Sequence, residues 1–306
     1  MLTAMRQNPL GRSGLTVSAV GLGCNNFGRR LDLAGTRAVI DAALDHGITF
    51  LDTADIYGGD GASERLIAEA LAGRRDRVVL ATKFGMALSD DRGEPRGSRA
   101  YLRRACDASL ERLRTDRIDL FYYHEPDGVT PLAETVGALV ELADEGKIRT
   151  YGVSNVDADQ LREAAAAGDE RLAAVQNEYS LLERDAEEAE LPVARELGIA
   201  FIPYFPLASG LLTGKFRRGA PPPEGTRLAA RPERLTDAVF DRLEALEAFA
   251  AERGHGLLDL AFAALTSQPD IASVIAGAMR PDQVARNAAA ADWQLGEEDE
   301  AALARV

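Results

Sequence analysis

The sequence predicts a (β/α)8 barrel, read as one domain over residues 1–306 with an N-terminal β-hairpin cap. Three observations predict it: short β-branched runs alternate with stretches of helical period, eight such runs occur, and no shift of composition divides the chain in two. Alternation of this kind implies a parallel sheet, because each strand must return through a crossover that packs outside it. Eight strands without a break suit a closed barrel better than an open doubly wound sheet.

In chain order, a hairpin is expected over residues 6–17, with turns at Pro9, Leu10 and Gly11 and at Ser13 and Gly14. Barrel strands are expected at residues 17–21, 48–51, 78–81, 118–122, 150–153, 174–176, 200–203 and 273–275. Between them, Val39, Ile40, Ala43 and Leu44 mark a helix over 33–46, and Leu132, Val136, Leu139, Val140 and Ala143 mark another over 132–145. Pro192 and Gly198 bracket a shorter helix, 191–197. Two long connections, 86–98 and 217–234, follow the third and seventh strands, and the second contains Pro221, Pro222 and Pro223. Connections of that length in a compact domain are functional or disordered, and a barrel keeps its functional loops at the strand C-termini.

Forty-nine acidic against thirty-five basic residues give a net charge of −14, which argues against nucleic-acid and anionic-membrane partners. A phosphorylated ligand would need dedicated local cations. Cys24 and Cys106 are the only cysteines, too few for a zinc cluster, and read as buried, inert thiols. No metal site is expected. Without an apolar leader near the N-terminus or an apolar run of spanning length, the reading is a cytoplasmic protein.

The chemistry sits after successive strands. FLDTADIYG (50–58) carries Asp52 and Tyr57, ATKFG (81–85) carries Lys83, and YYHEPD (122–127) carries His124. Barrel closure would gather these four at one mouth. Carbonyl reduction by hydride leaves negative charge on oxygen, so it needs a proton donor beside that oxygen and fixed dipoles aimed at it. Tyr57 is the natural acid, Lys83 would stabilise its phenolate and lower its pKa, Asp52 would hold Lys83, and His124 would orient the carbonyl.

Taken with GLGCNNFG, ERLIAEAL, SLERLRTDRIDLFYYHEPD, IRTYGVSN, VQNEYSLLER, FIPYFPLASGLLTGKF and AMRPDQVARN, these stretches resemble the aldo-keto reductases over nearly the whole chain. The resemblance implies the barrel fold, the catalytic tetrad Asp52, Tyr57, Lys83 and His124, and NADP(H) as cofactor, with NAD(H) also admitted. It places Ser154, Asn155 and Gln176 on the nicotinamide carboxamide, Tyr204 on the nicotinamide face, and Pro206, Leu207, Gly210, Leu212 and Lys215 around the pyrophosphate. Gly23 and Cys24 join the cofactor set on the loop after the first barrel strand, as do Gly277, Met279, Arg280, Gln283 and Asn287 at the adenosine. Where many members carry a Lys-Ser pair and a downstream Arg for the 2′-phosphate, this chain has Gly277, Ala278 and Gln283, which leaves Arg280 as the nearest cation. The expected substrate pocket is lined by Asn25, Asn26, Phe27, Tyr57, Met86 and Tyr123, and its occupant is a small carbonyl compound.

Two rival enzymes are disfavoured by the residues. In GLGCNNFG the third glycine position of a dinucleotide fingerprint is Asn26, and His46, His124 and His255 are too few and too scattered for a metal-dependent barrel hydrolase. A third reading is of another class: a regulatory or interaction protein that keeps the fold and the cofactor.

Overall fold

A computed structural model describes residues 4–88 and 93–306. Strands β1 (Gln7–Pro9) and β2 (Thr16–Ser18) pair antiparallel, with Asn8 opposite Val17. Leu10, Leu15 and Val17 of this hairpin are buried against Phe50, Leu120 and Tyr122 inside the barrel, so the hairpin is an apolar plug at the strand N-termini. Val17, expected in the first barrel strand, belongs to the hairpin instead. The β-branched run is continuous, but the chain turns at Ser18, whose hydroxyl donates to Val20 O at 2.6 Å and accepts from Thr49 N at 2.9 Å.

The eight barrel strands are β3 (Val20–Gly23), β4 (Phe50–Asp52), β5 (Val79–Phe84), β6 (Ile118–Tyr123), β7 (Ile148–Ser154), β8 (Leu172–Gln176), β9 (Ala200–Phe201) and β10 (Val274–Gly277). They pair in parallel in chain order, with β10 beside β3. The two ends of the sheet meet where Phe201 N donates to Asp270 O at 2.8 Å and Ala272 N donates to Phe201 O at 3.2 Å. β9 is shorter than the expected 200–203. Ile202 N still reaches Val175 O at 2.8 Å, but Pro203 has no N–H to continue the ladder.

Ten helices accompany the strands among the described residues: α1 (Leu33–Asp45), α2 (Ala62–Ala70), α3 (Arg99–Leu113), α4 (Leu132–Asp144), α5 (Ala158–Ala167), α6 (Glu190–Leu197), α7 (Asp237–Glu252), α8 (Leu257–Thr266), α9 (Pro281–Ala290) and α10 (Glu297–Leu303). Their ends follow capping chemistry. Asp32 accepts from Gly35 N, Asp157 and Gln160 form a capping box on α5, and Gly198 closes α6 at φ 67°. Side-chain alternation divides each strand: Ala81, Leu120 and Tyr122 fill the barrel, whereas Leu80, Phe84, Phe121 and Tyr123 pack in the outer layer. That parity decides which functional groups can meet at the mouth.

Residues 217–234 are pinned down. Short 3-10 turns occupy Arg227–Ala230 and Pro232–Arg234, Leu228 is buried against Phe240 and Leu243 of α7, and Arg217 and Arg218 pair with Glu247, Asp237 and Glu244, each at 3.0 Å. The other long connection, 86–98, includes residues 89–92, which lie outside the described ones. No helix among the described residues is long and apolar enough to cross a membrane.

Candidate active site

β4 and β5 lie side by side with Asp52 opposite Ala81, which brings Asp52 and Lys83 together inside the barrel at the C-terminal end of the sheet. Both side chains are buried, and Lys83 Nζ forms an ion pair with Asp52 Oδ1. It also donates to Thr53 O at 2.9 Å, while Gln176 Nε2 donates to Asp52 Oδ2 at 3.0 Å. Both carboxylate oxygens of Asp52 are therefore engaged. Burial pulls the Lys83 pKa down, but Asp52 and Tyr57 outweigh it and hold the ammonium above its usual value.

Tyr57 stands on the turn after β4, where its N–H donates to Ala54 O at 3.1 Å. The next residue has to be glycine. Gly58 sits at φ 77°, and a Cβ there would come within 2.5 Å of Phe27 O. Lys83 Nζ lies 5.0 Å from the centre of the Tyr57 ring. Lys83 pulls the phenol pKa down, as expected, but burial outweighs it and the net shift is upward. Tyr57 is a neutral phenol with an ammonium beside it.

His124 follows β6, with its N–H donating to Phe84 O at 2.8 Å and its ring edge-on to Tyr57 at 5.9 Å between centroids. Its Nδ1 is buried without a hydrogen-bond partner among the described residues. Burial, reinforced by Lys83, pushes the imidazole pKa down to about 3, so the ring is neutral and carries one N–H.

The ends of β7, β8 and β9 add a polar edge. Ser154 Oγ donates to Gln176 O at 2.7 Å, and Asn155, at φ 56°, donates through Nδ2 to His124 O at 2.8 Å. Tyr204 Oη donates to Asn155 Oδ1 at 2.7 Å, which fixes its ring at the mouth. Beyond Tyr204, the loop of Pro206 and Leu207 leads to Gly210 at φ 98°, where a Cβ would lie 2.9 Å from Lys215 Nζ. Lys215 has no ion-pair partner among the described residues, and its pKa is lowered by burial and by Arg286. Arg286 itself pairs with Asp282 at 3.2 Å, which leaves Lys215 as the cation that phosphate oxygens would meet there. Gly23 lies opposite the exposed Gly277 in the β3–β10 ladder, leaving open backbone between them. Met279 N donates to Gln283 Oε1 at 2.7 Å, Asn287 is buried, and Arg280 is paired with Asp282 at 2.9 Å. These groups fit a phosphorylated dinucleotide laid from β7 across the β9 loop to α9. Cys24 and Leu212 are wholly buried, so only their backbones can face such a ligand.

Of the expected pocket residues, Asn25, Tyr57 and Met86 are partly exposed, and Asn26 is buried where its carbonyl closes a turn with Arg30 N at 2.9 Å. Phe27 and Tyr123 do not line a pocket. Both pack in the outer layer, and Tyr123 Oη accepts from Asp127 N at 2.8 Å. The reason is parity: with Tyr122 inside the barrel, its neighbour must point out.

One assembly was not anticipated. Behind the tetrad, on the outer side of β5, Glu64 accepts from Thr82 Oγ1 at 2.6 Å and pairs with Arg112, while both carboxyl oxygens of buried Asp55 have no hydrogen-bond partner among the described residues. Burial, and then the charge of Glu64, push the Asp55 pKa up to about 8. Asp55 lies within the same FLDTADIYG stretch, but a carboxyl's partner count cannot be read from a motif.

Comparison with known proteins agrees with this geometry. The profile of the Aldo/keto reductase family matches residues 19–306. A probable voltage-gated potassium channel subunit beta from Arabidopsis thaliana is 36% identical, covering 94% of this chain and 92% of its own. An aldo-keto reductase from Bacillus halodurans, solved in its holo form, superposes with a TM-score of 0.83 at 32% identity over 98% of this chain and 96% of that one. Another from Klebsiella pneumoniae, solved in complex with NADPH, gives 0.77 at 31% over 98% and 94%.

Proposed function

Because the chain belongs to the aldo/keto reductase family, we propose that it is an oxidoreductase that reduces the carbonyl of an aldehyde or ketone to the alcohol, taking hydride from NADPH and using Tyr57 as general acid. The observation that carries this reading is the buried Asp52–Lys83 pair with the Tyr57 ring 5.0 Å from the ammonium. Negative charge growing on the carbonyl oxygen is met by the Tyr57 hydroxyl, which gives up its proton, and by the N–H of neutral His124. Lys83 stabilises the resulting phenolate more strongly than it could in water, since the ammonium is wholly buried. Asp52, held by Gln176, keeps the ammonium in place.

In this reading NADPH, with NADH as a weaker substitute, supplies the hydride when bound. Ser154, Asn155 and Gln176 hold the carboxamide and Tyr204 stacks on the ring. Pro206, Leu207, Gly210, Leu212 and Lys215 wrap the pyrophosphate, with Gly23 and Cys24 contributing backbone. Gly277, Met279, Arg280, Gln283 and Asn287 take the adenosine.

The test is NADPH consumption with a panel of aldehydes, alongside cofactor binding, on wild-type and Tyr57→Phe preparations. The variant should lose at least about a hundredfold in turnover while its NADPH affinity hardly changes. Near wild-type reduction by Tyr57→Phe would overturn the mechanism. A regulatory role on the same fold draws on the similarity to a potassium channel subunit, and a wild-type protein that binds NADPH but reduces no carbonyl would favour it.

A further inference from the structure

One buried phenol beside the tetrad takes no part in the proposed reduction. Tyr122 stands level with Lys83 of β5 on one side and with Gly152 of β7 on the other, and it is wholly buried inside the barrel. Lys83 Nζ lies 6.0 Å from the centre of its ring. That ring leans across β7: a Cβ on Gly152 would lie 2.5 Å from Tyr122 Cε1 and 2.6 Å from Ala174 O, so only a glycine lets the ring pass over the strand towards β8. Gln176, also buried, ends β8 two positions beyond Ala174.

The Tyr122 hydroxyl makes no hydrogen bond among the described residues, which is unfavourable for a polar group in a barrel core. Phenylalanine would fill the same volume without that cost. Burial, and then the charge of Asp52, raise the Tyr122 pKa well above its ordinary value, so the phenol is neutral, while Gln176 pulls against them. A pull of that sign is what an amide N–H turned towards the phenol oxygen exerts. Gln176 has two such N–H groups and one oxygen. One N–H is already on Asp52 Oδ2 at 3.0 Å, and since a carboxylate only accepts, the amide must keep its nitrogen on that side. With the second N–H on Tyr122, Oε1 is the atom left for a ligand, and it can meet only a donor.

We propose that Tyr122 is a positioning residue that fixes the amide plane of Gln176, so that Gln176 presents its oxygen to the N–H of the nicotinamide carboxamide. The role rests on the cofactor reading above. A terminal amide otherwise turns between two broad orientations, and the phenol holds it in one. The cost of the unpaired hydroxyl is then offset when the carboxamide docks and the Gln176 amide is drawn into place.

Binding of two oxidised cofactors tests it: NADP+ and 3-acetylpyridine adenine dinucleotide phosphate, in which a methyl group replaces the carboxamide –NH2. Each is titrated in competition with NADPH, read by nicotinamide fluorescence, on intact wild type, Tyr122→Phe, Gln176→Met and the double variant. Wild type should prefer NADP+ by at least about tenfold, because an amide oxygen held for an N–H is left unpaired against a methyl group. Tyr122→Phe should shrink that preference by at least about threefold, while its urea stability without cofactor stays at or above that of wild type, since the unpaired hydroxyl is gone. With methionine at 176 the same change should leave the preference where it is. A Tyr122→Phe protein with wild-type preference overturns the role. So does one that loses stability, and affinity for both cofactors alike, which would make Tyr122 a packing residue. An equal shift with glutamine or methionine at 176 would show Tyr122 acting by another route and overturn it too. Equal affinity of wild type for the two cofactors overturns the role but leaves the reductase standing, whereas failure of wild type to bind NADP+ or NADPH would remove the cofactor reading and the role with it.

Discussion

Two buried acid–base assemblies lie back to back across β5, and they differ by one carboxyl. Inside the barrel Asp52 faces Lys83, one acid with one base, and Asp52 has both oxygens engaged. Outside it, Glu64 takes the guanidinium of Arg112, and the nearby Asp55 carboxyl has no hydrogen-bond partner among the described residues. In the inner pair one acid meets one base. The outer group has a surplus acid, and a surplus acid in a low-dielectric interior keeps its proton. The same two strands thus present a fixed ion pair on one side and a titrating carboxyl on the other.

The largest effect should come from unbalancing the inner pair. Lys83→Met leaves Asp52 buried without its cation, which should cost about 3–5 kcal/mol of stability and, by removing support for the Tyr57 phenolate, at least about a hundredfold in turnover. Urea denaturation and steady-state rates on one preparation read both. A variant as stable as wild type would mean that Asp52 is satisfied by Gln176 alone. On the outer side Arg112→Met should cost less, about 2–4 kcal/mol near neutral pH, because Thr82 still donates to Glu64. That cost should shrink as the pH is lowered and Glu64, whose pKa burial already raises, takes up a proton, and a loss independent of pH would break the contrast.

Asp55→Asn sharpens the comparison in the opposite direction. Folded Asp55 titrates near 8 against the ordinary carboxyl value near 4 in the unfolded chain, so the folded state holds one extra proton between those values. Its contribution to stability is complete below about pH 4 and is lost as pH rises towards 8, at no more than about 1.4 kcal/mol per pH unit. Removing the titrating group should flatten wild type's decline over that window and leave the variant the more stable of the two at pH 8. Parallel stability curves for the two proteins would show that Asp55 is ionised after all.

The smallest effect is expected at α9. Arg280 is exposed and already paired with Asp282, so Arg280→Ala should weaken NADPH relative to NADH only slightly. The ratio of the two dissociation constants measures it, and equal losses for both cofactors would remove Arg280 from the 2′-phosphate site.

Much of the candidate site could be read before folding was considered. Asp52, Lys83 and His124 each stand at a strand end, and the positions of the strands are local information carried by β-branched runs and turn residues. The outward aim of Tyr123 was also within reach, because placing Tyr122 and His124 on the inner side forces it by alternation. Phe27 is different. Its burial depends on the turn closed by Asn26 and on the approach of Gly58, two segments that meet only in the folded chain.

The sequence by itself determined the barrel, the number and order of its strands, and which strand ends carry ionisable groups, because periodicity and parity act over a few residues. Only the tertiary structure decided how those groups titrate and pair: the raised phenol of Tyr57, the protonated Asp55 and the neutral His124. Each of these depends on how many charges share one poorly solvated volume, and that number is set by residues drawn from strands, helices and loops far apart in the chain.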